Sequence, residues 1–550
     1  MYREFGPPLT RPGSQPRATK RARRWPYALL AGACASLSSL SPYGPWESAV
    51  LSVELDPAPA RPVSPEEPPR VAEEPPPTPA ARVASRSLLG LAETPSKGPR
   101  ELDSSSKLPT SPESEPRPEA DLFLGVTGKE ANIRARPDPN AEVLGMARMG
   151  TLLRRAPTPS GTVKCPGGWY AVAPRGFACA GASTTLDLDH PVLQLASLEA
   201  DRSEPLPYRY GRTRAAAPPF YTKVPSPEEQ RATEGATWGG SKQLARLWGD
   251  DPLGAPPPAL LGGQTIPGRP ADKVATGFGL SRSAFAFLDL FESEGRRFGL
   301  TTDFSVIPLD RVEPVEPSSF RGVVLTEEDT LPLAFVRSRS VWVYRQDEKT
   351  KALAPLRMAK FREAFHLEEE AETIGGARFF RTKTGELLRE QNELIVLRNP
   401  EKMPKWASGS APWLSVSLLR QTLVAFRGDQ PVFATLVSTG VGGAADPSET
   451  QATVQGVFRI HTKHITRTMA GPEADDPYDL RDVPYVQYFH EGYALHAAFW
   501  HDGFGQPKSH GCINLSPSDA RHLFHVTEPL VPSGWHSALS RRGTIIWIHP

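Results

Sequence analysis

Ser509-His510-Gly511-Cys512-Ile513-Asn514-Leu515 decides how this chain is read. It places a thiol two residues after an imidazole, with a glycine between. Just upstream, Gly492-Tyr493-Ala494-Leu495-His496 alternates as a short strand and carries a second imidazole. Just downstream, Ser516-Pro517-Ser518-Asp519 opens a helix, with Ser516 as N-cap, Pro517 at N1 and Asp519 where a capping carboxylate belongs. The thiol is therefore expected on a tight loop between a strand and a helix, within reach of two histidines. A thiol attacks a carbonyl only as thiolate, so it needs a base to take its proton or a cation to lower its pKa. Gly511 leaves room for a substrate carbonyl and for backbone N–H groups directed at an oxyanion.

His496 followed by Ser509-His510-Gly511-Cys512-Ile513-Asn514 resembles the signature of the L,D-transpeptidase catalytic domain of the YkuD type. Val483-Pro484-Tyr485 and Asp519-Ala520 resemble its flanks. Trp413-Leu414-Ser415-Val416, followed by Gln421-Thr422-Leu423, resembles its first strand. The resemblance covers residues 405–550. Two departures bear on substrate fit: Thr453-Val454-Gln455-Gly456 stands where the family carries Thr-Pro-Thr-Gly, and Ala497 where glycine or serine is common.

The resemblance implies that Cys512 attacks the carbonyl after an L-centre in a peptidoglycan stem peptide, expels the terminal D-residue and leaves a thioester. An amine on a second stem then forms the cross-link. Hydrolysis, or anchoring of a protein to the wall, would use the same acyl-enzyme. The chemistry assigns His496 as general base and proton donor, its ring oriented by the Ala497 carbonyl. His510 and the N–H groups of Gly511 and Cys512 are expected at the oxyanion. Ser509 and Asn514 are expected to brace the loop or meet substrate, and Tyr485, Tyr493 and Trp500 to line the cleft. No cofactor or metal is expected. Three blander readings compete: a buried Cys packed beside a His, a zinc site of His496, His510 and Cys512 with Glu491 as the only near carboxylate, and a non-catalytic wall-binding lipoprotein.

The length, 550 residues, suggests three or four units. A formal net charge of +1 provides no electrostatic case for nucleic acid. After the N-terminus no stretch approaches the ~20 apolar residues of a membrane span. Residues 1–40 read as an export signal: Lys20, Arg21, Arg23 and Arg24 precede a short apolar core. Ala31-Gly32-Ala33-Cys34 resembles a lipobox, which would make Cys34 a lipid anchor. Residues 41–120 are rich in Pro, Glu and Ser and read as a disordered tether. Together these place the protein in the cell envelope, in the periplasm or wall, with a possible membrane tether through its N-terminus.

Between 121 and 184, Ala131–Pro137, Val143-Leu144-Gly145, Met149–Leu153, Gly168–Val172 and Gly176-Phe177-Ala178 are short runs broken by Gly and Pro, a small β-barrel. Their order resembles bacterial SH3-like domains. Cys165 and Cys179 flank one hairpin and can form a disulfide in an oxidising compartment. Residues 185–404 read as a β-rich middle region of two units, with Arg202–Val274 irregular. Ala284-Phe285-Ala286-Phe287-Leu288-Asp289-Leu290-Phe291 is expected as a short buried helix, before strands near Val306, Val323, Trp342 and Leu394. The whole is expected to be mainly β and multidomain, with one short helix after the thiol in the C-terminal domain.

Overall fold

The computed structural model describes residues 122–550, except 197–198, 215, 250, 262–269, 271, 408 and 472–476. The export signal, Cys34 and the tether lie outside the described residues. The described chain is mainly β, as its alternating apolar runs dictate.

In the C-terminal region two sheets face each other. The first runs Val323–Val324, Gln430–Leu436, Thr422–Arg427, Pro412–Ser417, Ile545–His549, Gly456–Arg459. Pro412–Ser417 is its central strand, antiparallel to Thr422–Arg427 and parallel to Ile545–His549. The second is built on a long hairpin, Thr462–Gly471 against Tyr478–His490. Tyr493–Ala497 pairs antiparallel with that hairpin, and Ile513–Leu515 pairs parallel with Tyr493–Ala497. The helix Pro517–Val526 follows at once. Ser516 caps it, its hydroxyl accepting from the Asp519 N–H at 3.2 Å, and Pro517 opens it. The Asp519 carboxylate turns away to accept from Thr435 Oγ1 and the Gly322 N–H, which ties the helix to the first sheet. Leu414, Val416, Leu423 and Ala425 from one sheet meet Ile465, Leu495, Ile513 and Leu515 from the other, with Leu523 and Phe524 of the helix closing the core.

The second sheet does not end with this region. Ser283–Ser293 pairs parallel with the long strand, Ser283 opposite Asp479 and Ala284 opposite Leu480. This corrects the helix expected over Ala284–Phe291. That run is a central strand, its edges paired with Arg209–Thr213, Arg296–Thr301 and the long strand, and the successive residues Ala284, Phe285, Ala286 and Phe287 are all buried, on both of its faces. An 8-residue run buried on both sides carries no period that separates strand from helix. Residues 202–274 are also less irregular than expected, with strands Arg209–Thr213 and Pro219–Tyr221 and the helix Pro227–Glu234, which has a full capping box from Ser226 and Glu229. Residues 333–397 form a separate seven-stranded sheet.

The small strands between Phe123 and Thr185 carry the Cys165–Cys179 disulfide. They reach the second sheet through Gly145 opposite Ala538 and Met146 opposite Ser537. Arg148 from these strands lies on Asp482 of the long strand, with Nη2 3.1 Å from Oδ2. Asp482 also accepts from Thr466 Oγ1 at 2.8 Å and from Thr302 Oγ1, while its carbonyl takes the Tyr210 hydroxyl at 2.7 Å. One buried carboxylate thus joins three stretches of chain that are far apart in sequence.

Candidate active site

Cys512 stands at the end of a loop, one residue before the strand Ile513–Leu515. That strand runs parallel to Tyr493–Ala497, with His496 opposite Asn514. The register therefore brings the second imidazole beside the thiol's loop. Cys512, His496, His510, Ser509, Asn514 and Trp500 all line one cleft of about 430 Å³.

The loop is held from inside. Ser509 Oγ donates to the Cys512 carbonyl and accepts from the Gly511 N–H at 3.1 Å. Thr453 Oγ1 donates to the Gly511 carbonyl at 2.7 Å and accepts from the Gly440 N–H at 2.9 Å. Thr453 is fully buried, so the first residue of the segment that departs from Thr-Pro-Thr-Gly is the brace under the Cys512 loop. Replacing Thr453 by valine keeps its shape but orphans a donor and an acceptor. It should cost about 1–3 kcal/mol in the urea-unfolding free energy; a loss within measurement error would remove the bridge from this account.

Gly511 has φ +130°, and a Cβ there would sit 2.8 Å from the Tyr493 ring. The space on the Cβ side of Gly511 is therefore filled by the Tyr493 ring, and any side chain must displace the ring or the loop. Gly511→Ala is expected to slow modification of Cys512 by ~10²-fold, the scale of an ångström-sized misplacement, read as the rate of thiol alkylation. An unchanged rate would mean the loop tolerates the methyl.

His496 is 2% exposed, and its Nδ1 lies 3.1 Å from the Ala497 carbonyl. A carbonyl only accepts, so the neutral ring carries its proton on Nδ1 and keeps the Nε2 lone pair as the basic edge. Burial lowers the His496 pKa to about 4, the Ala497 carbonyl opposing the shift. Burial pushes the half-buried Cys512 thiol up to about 11, against a hydrogen bond from the Ala494 backbone. At rest the pair is a neutral thiol and a neutral imidazole, and the arrangement suits proton removal during attack better than a standing thiolate.

His501, to which the sequence assigned no role, contacts the site. Its Nδ1 accepts the Gly503 N–H at 3.2 Å, and its Nε2 is 2.9 Å from the Asn514 side-chain amide. Burial first, then the nearby Lys508, lowers its pKa to about 4, so it is neutral with the proton on Nε2. That proton requires the amide oxygen of Asn514 to face His501. The amide NH2 then occupies the buried position that has no hydrogen-bond partner among the described residues, leaving a donor opposite His496.

The other expected site residues divide. His510 is exposed and stacks on Tyr478, ring centroids 5.6 Å apart. Trp500 stacks obliquely on His496 at 5.7 Å. Tyr485 is fully buried outside the cleft, packs on Phe524 and donates its hydroxyl to the Glu204 carbonyl. Glu491 is exposed, and among the described residues no three His, Cys, Asp or Glu side chains are grouped to hold a metal ion. The opposite wall of the cleft comes from strands far upstream, at Arg212–Arg214 and Ser281–Ala284. No local signal in the sequence marks these residues, because pairing to the long strand brings them there.

Residues 411–549 match the family model of the L,D-transpeptidase catalytic domain. Among solved structures the chain is similar to a mutant L,D-transpeptidase from Enterococcus faecium, at 22% identity over 26% of this chain and 50% of that one, TM-score 0.20. It is similar to an L,D-transpeptidase from Stackebrandtia nassauensis, at 24% identity over 28% and 58%, TM-score 0.19. It is also similar to an L,D-transpeptidase from Mycobacterium smegmatis, at 17% identity over 44% and 89%, TM-score 0.21. The chain spans about half the length of the first two. No curated protein matches it.

Proposed function

We propose that residues 405–550 are a cysteine acyltransferase acting on peptidoglycan stem peptides. The observation that carries this reading is the His496 tautomer: its Nδ1 is spent on the Ala497 carbonyl, so its basic edge is Nε2, in the cleft that Cys512 lines. The match of residues 411–549 to the L,D-transpeptidase catalytic domain supports it. In the first step the Cys512 sulfur bonds to the carbonyl carbon while its proton passes to His496 Nε2. The tetrahedral intermediate collapses by breaking the C–N bond to the terminal D-residue, whose amine takes that proton. This leaves a thioester. An incoming amine then attacks, His496 removes its proton, and the Cys512 thiol is restored as the amide forms. The Cys512 N–H is the donor assigned to the oxygen that becomes negative; the Gly511 N–H is directed at Ser509 Oγ.

The acceptor amine of a second stem makes the product a cross-link. Water or a protein amine in its place would give hydrolysis or anchoring from the same thioester. Such a substrate lies outside the cytoplasm, which fits the export signal at residues 1–40 and the tether at 41–120. Residues 121–184 would be an SH3-like module beside the enzyme. Among the described residues no helix is long and apolar enough to cross a membrane. The test is intact-mass spectrometry after incubation with a carbapenem, a strained amide that a nucleophilic thiol of this kind opens. A stable one-to-one adduct that maps to Cys512 supports the acyl-enzyme, and its absence under reducing conditions overturns it.

A further inference from the structure

We infer that Arg362, from the separate seven-stranded sheet, is a positioning residue for the cleft: by holding Asp502 it keeps His501 seated between Gly503 and Asn514. This rests on the reading of Cys512 as the reacting nucleophile and adds that residues 333–397 are a working part of the site.

Arg362 lies in the turn before Ala364–Ile374 and reaches the loop that follows Ala497. Its Nη1 is 2.7 Å from Asp502 Oδ1 and its Nη2 2.6 Å from Oδ2, a two-pronged pair, and Nη2 also donates to the Asp502 carbonyl at 2.8 Å. Ser318 Oγ donates to the same carboxylate. Exposed ion pairs usually contribute little. Here the Asp502 side chain is exposed, but that of Arg362 is only 7% exposed. Its guanidinium lies over the rings of Phe361, Phe320 and Phe504, at 4.5, 5.1 and 5.9 Å. The turn is held at both ends: the Arg362 N–H donates to the Val336 carbonyl at 2.7 Å, and the Val336 N–H to the Glu363 carbonyl at 3.0 Å. Arg362 has φ +63°, a left-handed conformation rare for a residue with a side chain.

Next to Asp502 is His501. Its Nδ1 takes the Gly503 N–H, and its Nε2 meets the side-chain amide of Asn514, which lies opposite His496 and two residues after Cys512. Phe504 of the same loop is buried with Phe320, Phe335 and Leu397, so the seven-stranded sheet packs under the loop. His501 fits this seat only while neutral, because a proton on Nδ1 would face the Gly503 N–H, donor against donor. Among the described residues, the charged and titratable groups that act on it are Lys508, His496, Asp502 and Arg362. Burial comes first in keeping the proton off; Lys508, His496 and Arg362 add to it, and Asp502 opposes it. Arg362 therefore acts twice, through its own charge and by engaging the carboxylate that would otherwise draw a proton to His501.

The test follows two readouts on the full-length protein and on Arg362→Gln, Asp502→Asn and the double variant. One is the titration of the His501 ring by NMR of histidine-labelled protein, its signal identified by its loss in His501→Gln. The other is the pH profile of carbapenem acylation at Cys512, each profile read against its own plateau and only where near-UV circular dichroism shows native packing. In Arg362→Gln the His501 midpoint and the acid limb of acylation are both expected to move up by about 1 pH unit, the lower end of what an unopposed carboxylate nearby does. Asp502→Asn and the double variant should show no upward shift, because the attracting carboxylate is gone.

A purely structural clamp predicts another pattern, since all three variants break the pair and would behave alike. Like behaviour of the three, or an unmoved His501 midpoint in Arg362→Gln, overturns the proposal. A midpoint that moves while the acid limb stays overturns it too, because the seat would then not reach Cys512. So does a neutral wild-type ring protonated on Nδ1, read from its nitrogen chemical shifts with no substitution at Arg362. If no carbapenem adduct forms, the acyltransferase reading falls, and the His501 midpoints still decide whether Arg362 holds that ring.

Discussion

Cys512→Ala is expected to keep its unmodified mass through prolonged incubation with a carbapenem, while the wild-type protein gains one adduct and His496→Gln gains it ~10²–10⁴-fold more slowly, the usual contribution of a positioned general base. Glutamine is the informative replacement because it fills most of the imidazole's volume in a site that is 2% exposed. The pH dependence is the sharper part. With the thiol held near 11 and the imidazole near 4, the competent resting state is the neutral pair. Protonating His496 removes the base, so the acylation rate is lost as pH falls through about 4. It should stay nearly flat from there until the thiol begins to ionise toward about 11. Over that upper range the thiolate forms without help, so the gap between wild type and His496→Gln should close. A wild-type rate that falls through the ordinary imidazole range near 6.5 would show that burial does not hold His496 at its low value, and would overturn this account of the base. An adduct on Cys512→Ala at the wild-type rate would remove Cys512 from the chemistry altogether.

Much of this site is legible from sequence because its signals are local. Ser516, Pro517 and the apolar residues after them mark a helix start within four residues, and that boundary fixes where the loop with Cys512 must end. The hairpin of Thr422–Arg427 and Gln430–Leu436 is equally local, a turn at Gly428 between two alternating runs. What was not legible depends on pairing across long stretches. Ser283–Ser293 shows its strand identity only once Arg209–Thr213 and the long strand lie on either side of it. Tyr485 occupies a motif position that suggested the cleft, but its φ of +55° at the bend of the long strand accompanies a side chain packed into the core. Thr453 was visible only as a departure from a pattern. Its work, holding the Gly511 carbonyl, is a contact over 58 residues. The upstream wall of the cleft has no sequence signature, since its strands reach it only by pairing to the long strand.

Asp482→Asn is expected to lower the unfolding free energy by about 3–5 kcal/mol, the cost of leaving a buried charge without its partner. The residue left behind is Arg148, whose guanidinium is hydrogen-bonded to both Asp482 and Thr466. Asparagine preserves the side-chain shape and suits the left-handed φ of +55° at this position, so the loss reports the charge. Alanine should cost about 1 kcal/mol more, because it adds backbone strain at that φ. Removing both charges, with Arg148→Met and Asp482→Leu together, should recover much of the loss. The same cluster sets the acid response. His464 and His536 are buried, and burial holds both near 3 in the folded state against an ordinary 6.5. Here the folded pKa is the lower one, so below about 6.5 the unfolded chain binds more protons and stability falls with decreasing pH. Asp482 is also held below its ordinary value in the fold; burial opposes this, but Arg148 and the hydroxyls of Thr302 and Thr466 outweigh it. Its contribution is present above the ordinary carboxylate range and is lost only at still lower pH. Wild-type unfolding midpoints should therefore drop in two overlapping stages on acidification, the first between about pH 6.5 and 3 from the histidines and the second from the ordinary carboxylate range downward, to which Asp482 contributes. Asp482→Asn should keep the first stage and weaken the second, which Glu234, Glu363 and Asp502 share because, against burial, their arginine partners also hold them below the ordinary carboxylate range. A variant within about 1 kcal/mol of wild type at neutral pH, or one whose second stage is as steep as that of wild type, would mean that Arg148 and Asp482 do not hold these three stretches of chain together.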